Sequence, residues 1–105
     1  LWTTEEREVA IKVVFPFLLT GMANGWWPMM KLIIWGPSVR LAAQDPEIAV
    51  LLSEVLDCRI PVEACKLCTD LYDVTGFYET LGIPVKYVGA PLSSMMQEGE
   101  KVITF

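Results

Sequence analysis

The sequence predicts an α/β fold in which a parallel sheet of about five strands is sandwiched between helices. Two observations carry this. Short apolar runs alternate with stretches of helical periodicity along the whole chain, and several junctions hold the Pro, Gly and Asp signals of helix starts and stops. The run Met30-Lys31-Leu32-Ile33-Ile34-Trp35 is nearly continuous in apolar residues, as expected of a strand covered on both faces.

Leu1-Trp2 is expected to be the stump of a first strand. Thr3 with Glu6 makes a capping box, and Glu5, Glu6 and Glu8 favour the first turn of a helix. Val9, Ala10, Val13, Val14, Phe17, Leu18 and Met22 keep its apolar stripe, while Ile11, Phe15 and Leu19 add a second greasy face. Pro16 predicts a kink and Asn24-Gly25 an end. The second strand spans Met30 to Trp35. Gly36 then turns the chain, and Pro37 opens a short helix over Ser38 to Gln44. Asp45-Pro46 starts another, an N-cap followed by a preset φ, with Ile48, Leu51, Leu52, Val55 and Leu56 at helical spacing.

The third strand is Ile60 to Ala64. After Cys65 a short helix is expected to about Tyr72, and Asp73 is placed to cap the next, Val74 to Leu81, which Gly82 stops. Pro84 to Val88 makes a fourth strand. A helix begun at Pro91 and closed by Gly99 leads to a fifth, Lys101 to Phe105.

With 105 residues the chain is expected to form one domain, 1–105, with one core. Hydrophobic residues make up 53% of it, more than a small core hides, so some apolar surface is expected to meet another subunit. The net charge of −5 and the lack of any basic stripe argue against direct nucleic-acid binding. The longest apolar runs, Val13 to Leu19 and Leu32 to Trp35, are too short to cross a membrane. Three cysteines make no disulfide framework, which predicts a reduced, cytoplasmic protein. No signal peptide is visible, and an opening at Leu1 without Met suggests residues ahead of it. No Gly-rich phosphate loop, serine triad or histidine is present, and no cofactor is expected.

The segment Cys65-Lys66-Leu67-Cys68 holds the chemistry-bearing residues. Cys65 falls where a strand hands over to a helix, the place where open α/β sheets put their sites. A helix N-terminus favours a thiolate there, and Lys66 adds positive charge. Cys65 is thus a candidate nucleophile or sulfur carrier, or else a small inert core residue. Cys68 follows one turn later on the same side, an arrangement that suits thiol–disulfide exchange and equally suits core packing. A zinc site would need Cys58, Cys65, Cys68 and a carboxylate such as Asp70, and no metal is expected. Glu63 shares the alternation of Cys65: it is a proton relay, or it lies at a sheet edge or subunit contact. Trp35 and Gly36, with Trp2, are candidates to wall a pocket beside Cys65 or to hold an anion on free N–H groups. Trp26-Trp27-Pro28 suits packing or an interface.

Ile33-Ile34-Trp35-Gly36-Pro37-Ser38-Val39-Arg40-Leu41, Val62-Glu63-Ala64-Cys65, Leu81-Gly82-Ile83 and Val85-Lys86-Tyr87-Val88-Gly89-Ala90-Pro91-Leu92 resemble DsrE/DsrF-like proteins over nearly the whole chain. The resemblance implies a three-layer α/β/α sandwich in a homotrimer or larger assembly, with sulfur donor and acceptor proteins as partners. It implies a sulfur carrier or sulfurtransferase-like role, with a persulfide on Cys65. Relay members commonly have small residues just beyond the carrier, so Cys68 is a departure and keeps two alternatives open. One is a Cys65–Cys68 dithiol oxidoreductase or redox sensor; the other is a non-catalytic oligomeric binding module.

Overall fold

Pro16 cannot donate the backbone bond that a continuous α-helix requires of it. The computed structural model, which describes residues 1–105, meets this by widening the helix just ahead of the proline. Helix α1 (Arg7–Val9) passes into a π-helical turn (Ala10–Val14) and then into α2 (Phe15–Ala23), with Pro16 in the first turn of α2. The predicted kink is therefore a π-turn, a device that drops one residue out of the regular ladder. The helix also starts later than the capping box predicted. Thr3 Oγ1 donates to the Phe105 carbonyl (2.9 Å) and caps nothing, while the Glu6 N–H donates to Thr4 Oγ1 (3.1 Å).

Strand β1 (Leu32–Ile34) is buried along its length, as its apolar run required. Gly36 turns the chain at φ +80°, and α3 (Ser38–Gln44) follows with the predicted bounds. Asp45 caps α4 (Pro46–Asp57) as predicted: its carboxylate accepts from the N–H groups of Glu47 (3.0 Å) and Ile48 (3.3 Å). The same carboxylate receives the Arg7 guanidinium (2.6 Å), which ties α4 to α1.

Strand β2 (Val62–Cys65) leads into α5 (Lys66–Leu71), a helix of only six residues. Helix α6 (Thr75–Thr80) comes next; Asp73 does not cap it but sits in the left-handed region at φ 55°, where it turns the chain between the two helices. Strand β3 (Val85–Lys86) and α7 (Gly89–Gln97) follow.

The sheet is parallel, in the order β1-β2-β3, with Ile33 beside Glu63, Ala64 beside Val85 and Cys65 beside Lys86. It has three strands, not about five. Both missing strands are chain-end segments: the first bridges to β1, and the last hydrogen-bonds to the first, neither forming a strand. Trp2 makes one parallel bridge to Ile34. The Leu1 amino group donates to Ile103 O (2.7 Å), and the Phe105 N–H donates to Leu1 O (2.8 Å), as in a parallel pair. Residues 1–3 are too few for a ladder, because the chain turns away to start α1.

Strand order fixes the layers. Each step from Trp2 to β1, β2 and β3 moves in one direction, and right-handed crossovers then place α1 to α6 on one face. Contacts bear this out: Tyr78 of α6 donates its hydroxyl to the Val39 carbonyl of α3 (2.7 Å), and Arg40 of α3 lies over the ring of Tyr72 at 4.7 Å. The return from β3 to the opposite edge puts α7 on the other face, where Leu92 and Met95 share a cavity with Ile33. The α1–α6 face is dry: Trp2, Ile34 and Ala64 are fully buried there. Glu63 and Lys86 lie on the opposite face, with Ile33 and Cys65, where the two charged residues pair with each other.

Candidate functional site

Cys65 is the last residue of β2 and the N-cap of α5, so the strand–helix junction predicted around it is present. Cys68 lies in the first turn of α5. Both thiols are free and nearly buried, with Cys65 3% and Cys68 9% exposed. The Gly36 N–H donates to Cys68 Sγ at 3.3 Å, joining the end of β1 to the first turn of α5. Burial pushes the Cys68 thiol above its ordinary range. The Gly36 N–H acts against that shift, and the neighbouring Cys65 thiol adds to it. Cys68 is therefore held as a protonated thiol against Cys65.

Two expected supports of a thiolate are weaker than the sequence suggested. Helix α5 has fewer than two turns, so its dipole is small. The Lys66 ammonium is committed to Asp70 (2.7 Å), one turn along the helix. Asp70 also accepts from Thr75 Oγ1 (2.7 Å), which keeps it from the cysteines. Cys58 is exposed at the C-cap of α4, and no group of three or more His, Cys, Asp or Glu residues is gathered closely enough to hold a metal.

Trp2, expected at a pocket wall, is a core residue. It is fully buried, meets Phe15 edge to face at 5.3 Å between centroids, and has no partner for its indole Nε1. Trp35 is half-buried next to Gly36. Ser38, which the sequence did not single out, fastens this corner: its buried hydroxyl donates to the carbonyls of Trp2 (2.6 Å) and Trp35 (3.1 Å). The left-handed φ of Gly36 aims its N–H at Cys68. Gly36→Ala is expected to cost about 1–2 kcal/mol, read as a lowered urea midpoint with an unchanged slope.

Glu63 is at no sheet edge. It lies in the central strand, and its Oε1 accepts from both Lys31 (2.7 Å) and Lys86 (2.8 Å). Oε2 is buried without a partner. Burial pushes the carboxyl up, but the two ammonium groups outweigh it and hold the acid below the ordinary carboxylate range. No local pattern signals that Lys31 and Lys86 meet on Glu63; only strand register brings them there.

Two cavities lie at the other end of the sheet. One of about 630 Å³ is lined mainly by apolar groups at the start of β1 and between α2 and α7. The other, of about 300 Å³, is bounded by residues 59–63 and 82–84. Neither reaches Cys65.

No family model and no curated protein matches the chain. Among solved structures it is similar to a conserved protein of unknown function from Bacteroides thetaiotaomicron. The two are 33% identical with a TM-score of 0.95, over 99% of this chain and 90% of that one.

Proposed function

The chain belongs to the same family as that Bacteroides thetaiotaomicron protein, and from its thiol pair we propose that it is a sulfur carrier of the DsrE/DsrF-like kind, holding a persulfide on Cys65. The observation that supports this most is the inequality of the two thiols. Cys65 ends the central strand, while Cys68 beside it is kept protonated by burial, and the Gly36 N–H fixes its position. One sulfur is placed to attack and the other to wait.

In the forward step the Cys65 thiolate attacks the terminal sulfur of a donor persulfide. A new S–S bond forms on Cys65, the donor's S–S bond breaks, and its electron pair leaves on the donor thiolate. An acceptor nucleophile then takes the outer sulfur and returns Cys65 as a thiolate. Burial around Cys65 shields the persulfide from stray thiols. Large exposed apolar groups, among them Trp26, Met29 and Leu71, support docking to donor, acceptor or further copies of the chain. No helix is long and apolar enough to cross a membrane, and three free thiols suit a reducing, cytoplasmic setting.

The nearness of the two sulfurs favours a second reading, a dithiol pair. There the Cys68 thiolate attacks the inner sulfur of the Cys65 persulfide, expels hydrosulfide and leaves a Cys65–Cys68 disulfide. Intact-mass measurement separates the two after incubation of reduced protein with a sulfane-sulfur donor. The carrier gains one sulfur in the parent and in Cys68→Ser, and none in Cys65→Ser. The dithiol instead loses two hydrogens in the parent and keeps an adduct only in Cys68→Ser. No change in any of the three proteins would leave a binding module without sulfur chemistry.

A further inference from the structure

Lys86 is the cross-strand partner of Cys65 in the parallel ladder, so the two stand side by side on one face of the sheet, about 4.8 Å apart at the backbone. Its ammonium leans back along the sheet to Glu63, the residue two before Cys65. Glu63 does not depend on it alone, since Lys31 binds the same carboxylate oxygen from the other side. Two cations therefore share one carboxylate, leaving one positive charge in excess beside Cys65. Helix α7, which packs over this face, holds no charged residue between Gly89 and Gln97. Lys66 is occupied by Asp70, and Cys68 faces Cys65 as a protonated thiol. Glu79 and Tyr87 act on Lys66, and Glu100 and Lys101 share a cavity with Lys31, while Lys86 is ion-paired with Glu63.

We propose that Lys86 is the counter-ion of the sulfur anion on Cys65: it swings from Glu63 to the thiolate or persulfide, while Lys31 keeps Glu63 paired. The persulfide half of this rests on the carrier reading; the thiolate half does not. The exchange requires no covalent step, only a change of partner by a half-exposed lysine side chain with a flexible stem. Its strength falls with added salt, because the Lys86 side chain is 47% exposed.

The test uses the chain with Cys58→Ser and Cys68→Ser, in which Cys65 is the single thiol, and follows its reaction with iodoacetamide against pH. Lys86→Met is expected to move the half-maximal pH upward by about one unit, and Lys86→Arg to restore it. Glu63→Gln, which frees Lys86, is expected to move it downward. Superimposed profiles for the parent and a folded Lys86→Met would overturn the proposal. Should Lys86→Met fail to fold, the parent decides alone: its profile is expected to shift upward in concentrated salt, and a profile indifferent to salt sinks the idea. These profiles involve no sulfur donor. A protein that shows the Lys86 shift but accepts no sulfur would refute the carrier reading and leave the ion pair standing.

Discussion

Trp2→Ala is expected to lower the free energy of unfolding by about 3–5 kcal/mol, measured by urea denaturation with the slope unchanged. The side chain is fully buried and meets Phe15 edge to face, so its loss leaves a cavity against α2. The backbone of the same residue makes the bridge to Ile34, donating to Ile33 O (2.9 Å) and accepting from Trp35 N (3.0 Å). Packing of the indole therefore holds the chain end on the sheet. Trp2→Phe separates this from the polar atom. It keeps an aromatic contact with Phe15 and removes an indole N–H that is buried without a partner. It is expected to cost much less than alanine, because an unsatisfied buried donor is itself a penalty of about 1–3 kcal/mol. Equal losses in the two variants would show that an aromatic contact with Phe15 is not what stabilises this position.

Removing both lysines from Glu63 is the second large effect. In the parent, Lys31 and Lys86 hold the Glu63 carboxyl below its ordinary range against the cost of burial. A depressed folded value means that the stabilisation is fully present above the carboxylate range of the unfolded chain. It fades as pH falls through the folded value. In Lys31→Met/Lys86→Met burial acts alone on a side chain that is 10% exposed, and the folded value rises above the unfolded one. Relative stability is then greatest in acid and is lost as pH climbs through that raised value. At neutral pH the double variant is expected to be less stable than the parent by about 3–5 kcal/mol, the cost of a buried charge left unpaired. Unfolding free energies measured from acid to neutral pH should show the gap widening upward. A gap independent of pH would mean that the lysines act through packing and not through the carboxylate.

Local signals in the sequence placed several elements closely. Helix α3 has the predicted bounds, and α4 starts where Asp45-Pro46 said it would, because an N-cap and a preset φ act within a few residues of themselves. Thr3 and Asp73 carried the same type of signal and did otherwise. Thr3 spends its hydroxyl on Phe105, at the far end of the chain, and Asp73 turns through the left-handed region. A cap works only from the N-cap position, and tertiary structure put Glu6 and Val74 there instead. The expected strands shrank for a related reason: apolar runs mark what is buried, whereas a strand needs a paired neighbour at every residue.

The thiol site divides in the same way. Spacing alone put Cys65 and Cys68 in one helical turn after the third predicted strand. Their inequality came from tertiary burial, which raises the Cys68 thiol even against the Gly36 N–H that a turn at the end of β1 aims at it. Lys66, adjacent in sequence, belongs to Asp70, while Lys86, remote in sequence, stands beside Cys65.

By itself the sequence determined an alternating α/β chain, a parallel sheet and a pair of cysteines at a strand end, because periodicity and capping are short-range effects. Only the tertiary structure decided which charges surround those cysteines, that Glu63 is central, and that Trp2 is core. Those depend on strand order and register, where a shift of one residue sends every side chain to the opposite face.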